Sequence, residues 1–221
     1  MKLYHGTSLR FKSSILQCGI KPRGDGGSNW DMHPSKSDLV YLTVAYPFYF
    51  AICTAKDDES LVVFEIDSEK LDESLFLPDE DFISQTIAHQ TNQPLEEVHS
   101  EVVECLENWQ DCWKKSLEGL GNCAYQGIIP CEAITRYCVF DGKEHYSLRM
   151  MMADPSISIF NYFFVGKRKY VPLVEWMFGD REQIPNEFEG LGLEINAMMQ
   201  DQINYWQEES KNRQGITVCT V

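Results

Sequence analysis

The chain has 221 residues, which is enough for one large domain or two small ones and for a substantial hydrophobic core. Hydrophobic residues make up 43% and charged residues 24%, so the composition argues against wholesale disorder and against a membrane-spanning protein. The formal net charge of −15 repels phosphate backbones and anionic lipids, and an extended nucleic-acid-binding surface is therefore not expected.

The N-terminal segment predicts a short strand, a helix and a long loop. Residues 3–5 form the strand, and Gly-Thr-Ser at 6–8 is a turn whose hydroxyl can cap the helix that follows. That helix ends at Gly19, since glycine is the usual left-handed residue just past a helix end. Residues 22–37 are rich in glycine and have no apolar period, which is typical of a functional loop.

Three elements with clear patterns come next. Residues 38–43 are a β-branched and aromatic run that predicts a strand, and 45–55 predict a helix lined with aromatic residues. Pro47 fits the first turn of that helix, where its missing N–H is not needed. The apolar run at 60–67 predicts a buried, central strand.

An amphipathic helical region extends over residues 78–117, where apolar residues recur at mostly three- and four-residue steps. We expect the acidic residues between them to form a solvent-exposed face. These residues are Glu96, Glu97, Glu101, Glu104 and Glu107.

The C-terminal part predicts a strand at 136–140 and a hairpin made of 157–165 and 170–174. Residues 166–169 between those two strands are a basic cluster, and 191–209 predict an amphipathic helix.

No repeat or linker divides the chain, so a single domain is expected. It would consist of a core at 1–145 with a helical insertion at about 78–120, and a C-terminal extension at 146–221 packed on that core.

The cysteines and the N-terminus predict a cytoplasmic protein with free thiols and no bound metal. The eight cysteines include no CxxC pair, and no histidine stands at zinc-finger spacing. Residues 1–5 lack the apolar stretch of a signal peptide, and no apolar run approaches the roughly 18 residues of a membrane span.

The segment 3–8 (Leu-Tyr-His-Gly-Thr-Ser), the helix ending at Gly19 and the strand Val-Tyr-Leu-Thr at 40–43 together resemble the His-Tyr-Glu ADP-ribosyltransferases. This class includes diphtheria toxin and the poly(ADP-ribose) polymerases. The resemblance covers 1–67 and, less closely, 122–140. It implies an α+β fold with a split, mostly antiparallel sheet around a cleft for NAD, which is a substrate; the helical insertion and the C-terminal extension lie outside it.

On the first strand, the resemblance implies contacts to NAD from within residues 5–8. His5 would hydrogen-bond the adenosine ribose, and Gly6 would let the backbone approach the nicotinamide amide. Thr7 or Ser8 would add a hydroxyl contact.

Beyond the first strand, the resemblance implies aromatic stacking on the nicotinamide ring. Tyr41 would cover one face of the ring, and Phe48 or Tyr49 would cover the other. Arg23, in the loop, would offer charge-assisted contacts near the phosphates.

The third catalytic residue implied by the resemblance is Glu132. Its carboxylate would hold the 2′-hydroxyl of the nicotinamide ribose and stabilise the oxocarbenium-like cation that forms as nicotinamide leaves. Glu65 and Glu144 are rivals for this role. Pro130 stands where arginine-modifying relatives carry a second Glu or Gln, so arginine is not the expected acceptor.

The predicted function is transfer of ADP-ribose from NAD to a macromolecular acceptor, preferably a protein. Residues 78–121 hold ten Asp and Glu against two Lys and Arg, so this insertion is expected to select a partner with a basic surface. One alternative is a nucleic-acid ADP-ribosyltransferase that uses Arg136 and the cluster at 166–169. Another is the related RNA 2′-phosphotransferase, which the acidic charge disfavours. The third alternative is a catalytically inactive module that binds a nucleotide or a partner.

Overall fold

The structure is a computed structural model that describes residues 1–25, 35–55, 59–140, 171–182 and 215–221, together with 197, 200, 201, 204 and 208. These residues combine helices with one antiparallel sheet, so the fold is α+β. The strands are β1 (Lys2–Ser8), β2 (Leu39–Thr43), β3 (Leu61–Asp67), β4 (Phe76–Pro78), β5 (Asn122–Gln126), β6 (Ile134–Phe140) and β7 (Ile216–Thr220). They follow the order β4-β5-β2-β1-β3-β6-β7 across the sheet, and all neighbours are antiparallel.

Helices cover both faces of this sheet. They are α1 (Lys12–Cys18), α2 (Pro47–Thr54), α3 (Glu80–Thr91), α4 (Leu95–Glu104), α5 (Trp113–Gly119) and α6 (171–178). Short 3₁₀ turns connect several of these elements, including Leu106–Cys112 and Cys131–Ala133.

Strand β3 lies at the centre of the packing. Its apolar residues from Leu61 to Ile66 are completely buried because both faces of the strand are covered. Leu61 and Val63 pack with α2 and α6, whereas Val62 and Phe64 pack with α1 and α5 on the opposite face. The sequence prediction of a buried, central strand is confirmed.

The sheet is weakly joined between β1 and β2. Strand β1 pairs with β3 along its whole length, and β2 does the same with β5. In the described ranges 1–25 and 35–55, however, β1 and β2 pair only where Tyr4 lies opposite Thr43. We call the remaining edges of these two strands, residues 5–8 and 39–42, the β1–β2 seam.

The local predictions for the first half of the chain are largely confirmed. Strand β2 and helix α2 form where expected, with Pro47 in the first turn of α2. Helix α1 ends at Gly19, which has a φ of 77°. One boundary was wrong, because residues 6–8, which were predicted to be a turn, belong to β1. The Ser8 hydroxyl at the end of β1 caps the next turn by accepting a hydrogen bond from the N–H of Arg10.

The helical insertion also forms as predicted, as α3, α4, the 3₁₀ turn Leu106–Cys112 and α5. The prediction of an exposed acidic face is confirmed, because all five of its glutamates are exposed. They are Glu96, Glu97, Glu101, Glu104 and Glu107.

The C-terminal predictions are only partly supported. Residues 171–174 begin a helix, so the predicted second strand of a hairpin is wrong; 157–165 and the basic cluster lie outside the described residues. Of the predicted helix at 191–209, the five described residues are helical. Helix α6 belongs to the core, and β7 extends the sheet beside β6, so both are integrated with the core sheet.

Candidate functional site

His5 joins the two edges of the β1–β2 seam. Its Nδ1 lies 3.0 Å from the backbone carbonyl oxygen of Tyr41. Because a carbonyl only accepts, Nδ1 carries the proton and Nε2 of the neutral ring is left as an acceptor. Burial lowers the pKa of His5 below its ordinary value, although the hydrogen bond to Tyr41 opposes this, so the ring is neutral at pH 7.

The phenol of Tyr41 is held from two sides. Its hydroxyl donates to Glu80 Oε1 at 2.7 Å and accepts from the backbone N–H of Lys36 at 3.0 Å. The Lys36 ammonium in turn lies 2.9 Å from a carboxylate oxygen of Glu107. Burial and the neighbouring Glu80 raise the pKa of Tyr41 well above 10, so the phenol stays protonated.

Glu80 reaches the site because of the strand register. Leu77, Ala124 and Tyr41 lie abreast on β4, β5 and β2, and α3 begins three residues after Leu77. Asp79 caps α3, which turns Glu80 inward to 5% exposure. Burial raises the pKa of Glu80 to about 7, although the hydrogen bond from Tyr41 lowers it.

The other residues of β1 that were predicted to contact NAD are buried in the structure. Gly6 lies under the first turn of α2, where an added Cβ would meet the Pro47 carbonyl oxygen. Ser8 is completely buried, and its hydroxyl donates to Glu59 at 2.8 Å. Thr7 is buried as well.

The predicted aromatic and basic partners are also engaged within the protein. Phe48 is 2% exposed and meets Phe140 edge to face at 6.3 Å, which places its ring in the core. The half-buried Tyr49 meets Phe50 at 5.8 Å. Arg23 donates to the Ser35 carbonyl at 2.6 Å and so ties the two ends of the loop at 22–37, of which 26–34 lie outside the described residues. Contacts of these side chains with NAD stay predictions.

Glu132 is not brought to the seam. It is exposed in the 3₁₀ turn before β6, and its backbone carbonyl accepts from the ammonium of Lys70 at 2.8 Å. Strand order separates β6 from β1 by β3, a distance of about 10 Å at the usual strand spacing. The catalytic role of Glu132 stays a prediction, and the carboxylate beside Tyr41 is that of Glu80.

Glu65, a rival of Glu132, is already occupied by internal partners. Arg136 donates Nε and Nη2 to Glu65 Oε2 at 2.9 and 2.6 Å, and the Thr135 hydroxyl donates to Oε1 at 2.8 Å. Arg136 also contacts Asp180, at 3.0 Å through Nη1. The guanidinium therefore serves an internal ion pair and is not available for phosphate binding. Glu144 lies outside the described residues.

The described side chains include free thiols but no group of metal ligands. All eight cysteines are free thiols. Within the part of the chain that the structure describes, no three His, Cys, Asp or Glu side chains are grouped as metal ligands. No described helix is long and apolar enough to cross a bilayer.

The raised pKa of Glu80 predicts a pH-dependent cost to stability. In the unfolded chain the carboxyl titrates near 4.5, so between pH 4.5 and 7 the folded state binds more protons and its stability falls as pH rises. We expect Glu80→Gln to remove this fall and to raise the free energy of unfolding at pH 8 by up to about 3 kcal/mol. Urea denaturation at pH 5 and pH 8 measures this change in the free energy of unfolding. Equal effects of the substitution at both pH values would contradict the prediction.

Comparison with known proteins finds no family for this chain, because it matches none of the protein-family models and none of the curated proteins. The assignment of a function therefore depends on the residues and geometry of the β1–β2 seam.

Proposed function

We propose that the protein transfers ADP-ribose from NAD to a macromolecular acceptor, preferably a protein, and releases nicotinamide. The observation that supports this most is the hydrogen bond between His5 and Tyr41 across the β1–β2 seam. These are the two residues that the resemblance to His-Tyr-Glu ADP-ribosyltransferases pairs around NAD. The resemblance also implies a split sheet around a cleft for NAD, and the weak pairing of β1 with β2, at Tyr4 and Thr43, supports the proposal.

The protonation states at the seam suit a sugar and an aromatic ring. His5 Nε2 offers an acceptor to a ligand hydroxyl, since Nδ1–H is used on Tyr41. The two hydrogen bonds to the Tyr41 hydroxyl fix the direction of its ring, so a planar nicotinamide could stack on it without further loss of side-chain freedom.

The proposed reaction breaks the bond between C1′ of the ribose and the nicotinamide nitrogen. The bonding electrons leave with nicotinamide, which becomes neutral, and positive charge develops on the ribose. A nucleophile of the acceptor then bonds to C1′ and loses its proton. A carboxylate close to C1′ stabilises the charge only while it exists, which is the condition for lowering the barrier.

The nucleic-acid alternatives receive less support. Of the basic residues that would grip a phosphate backbone, Arg136 is held between Glu65 and Asp180. A binding module without turnover would keep the same seam, and only an activity measurement separates it from an enzyme.

The test is release of nicotinamide from NAD, with transfer of label from adenine-labelled NAD to proteins of a lysate. We expect His5→Ala to lower turnover about 100-fold, because a ligand displaced by about 1 Å loses that much rate. His89→Ala, a change at an exposed histidine of α3, is the matched control and should match the wild type. If the wild-type protein neither releases nicotinamide nor labels an acceptor, the proposed function is overturned.

A further inference from the structure

A cavity of about 480 Å³ lies between the start of β1 and helix α6. Its apolar lining comes from one aromatic ring and the methyl groups of three valines. These side chains are Tyr4, Val44, Val171 and Val174. Pockets that bind small organic molecules usually have volumes of about 300–1,000 Å³ and a largely apolar lining, so this cavity is large enough to hold one.

The cavity lies on the face of the sheet opposite to the His5 side chain. Strand β1 pairs with β2 at Tyr4 and Thr43, where the β1–β2 seam closes, and Val44 comes directly after that pair. Successive side chains of a strand point to opposite faces, so Tyr4 faces the cavity and His5 faces away from it. What the cavity binds therefore does not depend on the proposed function.

Three charged side chains complete the lining: Lys2, Glu175 and Asp180. Lys2 and Asp180 belong to a cluster whose charges cancel. Arg136 donates to both Glu65 and Asp180. The Lys2 ammonium lies 3.2 and 3.4 Å from oxygens of the same two carboxylates. Two positive and two negative charges therefore balance each other beside the cavity.

Glu175 carries the charge that this cluster does not balance. Its side chain is exposed on α6, and no described side chain forms an ion pair or a hydrogen bond with its carboxylate. The cavity therefore combines an apolar wall with one unbalanced negative charge at its opening. A charge beside apolar groups interacts more strongly with a ligand than a fully hydrated charge does, because less water screens it.

We propose that this cavity binds an organic cation with an apolar body, an alkylammonium in its simplest form. The alkyl part packs between the valines and Tyr4, and the ammonium donates hydrogen bonds to Glu175. An anionic ligand is disfavoured, because the Lys2 ammonium is already engaged by Glu65 and Asp180. A free amine and the lysine side chain of a protein both present this group, and the experiment distinguishes them.

Hexylammonium, hexanol and hexanoate test the proposal, because they have similar apolar chains and differ in charge. Each titration is followed by NMR on the methyl groups of Val44, Val171 and Val174, which locates binding to the cavity. We expect hexylammonium to bind the wild type about 3- to 10-fold more tightly than hexanol, the effect of one partly exposed, charge-assisted contact. Hexanoate should bind more weakly than hexanol.

Three substitutions separate the effect of charge from the effect of packing. Glu175→Gln should abolish the preference for hexylammonium over hexanol, whereas Glu97→Gln, at an exposed position of α4, is the matched control and should keep it. Lys2→Met should strengthen hexylammonium binding about 2- to 5-fold, because it removes a positive charge from the lining. Val171→Ala should weaken hexylammonium and hexanol alike, about 2- to 5-fold, because it removes apolar contact.

The source of the ammonium is identified with Nα-acetyl-lysine methylamide, which presents the same group on a peptide backbone. Tighter binding of hexylammonium than of this lysine derivative assigns the site to a free amine. The reverse order assigns it to a lysine side chain of a partner protein.

Three results would overturn the inference. They are binding of hexanol or hexanoate to the wild type as tight as that of hexylammonium, an unchanged preference in Glu175→Gln, and no shift of the three valine methyl signals at millimolar hexylammonium. Release of nicotinamide from NAD is a separate measurement. Failure of the proposed function therefore leaves this site unaffected, and failure of this site leaves the proposed function unaffected.

Discussion

Replacing Arg136 with methionine should lower the free energy of unfolding by about 3–5 kcal/mol, the usual cost of leaving one partner of a buried ion pair uncompensated. Glu65 is 4% exposed and receives two hydrogen bonds from the guanidinium at 2.9 and 2.6 Å. The same guanidinium contacts Asp180 just beyond α6. The substitution therefore removes both guanidinium hydrogen bonds from a buried carboxylate and the ion pair with Asp180, and urea denaturation measures the loss.

The pH profile distinguishes this mechanism from a simple loss of packing. Burial alone raises the pKa of Glu65, but the hydrogen bonds from Arg136 and Thr135 outweigh it and hold the pKa below 4.5. In the wild type this contribution is present above pH 4.5 and is lost as the pH falls through the lowered pKa. In Arg136→Met the hydrogen bonds and charge of the guanidinium no longer lower that pKa, so less stability should be lost as the pH falls.

Lys2→Met is the matched control for Arg136→Met. Lys2 contacts the same Glu65 oxygen at 3.2 Å, but its side chain is 56% exposed, so its removal should cost about 1 kcal/mol or less. An equal loss of stability in the two variants would show that the contribution of the ion pair does not depend on burial. A wild-type pH profile in Arg136→Met would contradict the role given to the guanidinium.

The sequence predicted those helices and strands whose own residues carry a clear local pattern. An apolar run marks β3, and a glycine marks the end of α1. Strand β7 was missed although four of its five residues, Ile-Thr-Val-Cys-Thr, are β-branched, a signal that could have found it. Strand β5 was missed because Asn-Cys-Ala-Tyr-Gln carries too little β-branched or alternating pattern to be recognised. Such strands form because a distant partner strand is available, and no local pattern contains that information.

The same limit explains what was missed at the site. His5 and Tyr41 were predicted and lie together, because each sits on a strand with a clear motif. Glu80 stands between two aspartates after Pro78, a pattern typical of the exposed first turn of a helix. It turns inward only because β4 pairs with β5 beside β2, in registers between residues 45 to 49 and 79 to 87 positions apart.

The insertion consequently serves the site as well as the surface. The sequence assigned it to partner selection alone, but it contributes Glu80 to the Tyr41 hydroxyl and Glu107 to Lys36. The selection of a partner, which stays a prediction, is assigned to the exposed glutamates of α4. Neutralising the exposed glutamates Glu96, Glu97, Glu101 and Glu104 should therefore change which partner is selected. Neutralising Glu80 should instead change stability and the contact with Tyr41.

Gly6→Ala should lower the free energy of unfolding by at least about 3 kcal/mol, the upper range for overpacking a well-filled core. A Cβ at this position would lie 1.7 Å from the Pro47 carbonyl oxygen and 2.7 Å from the carbonyl carbon. Both atoms are backbone and cannot rotate away, so the first turn of α2 must lift from β1. Urea denaturation measures this cost, and the displacement also disturbs His5 next to it.

Gly24→Asn provides the control, because Gly24 has a φ of 60° that asparagine tolerates and no atom within 4 Å of an added Cβ. It should stay within about 0.5 kcal/mol of the wild type. The comparison also decides what Gly6 is for. The family resemblance implies that Gly6 admits nicotinamide to the backbone, whereas the structure shows that it admits the Pro47 carbonyl. If Gly6→Ala keeps wild-type stability but loses NAD affinity, the glycine serves the ligand. If the glycine serves the contact with Pro47, the variant must lose stability.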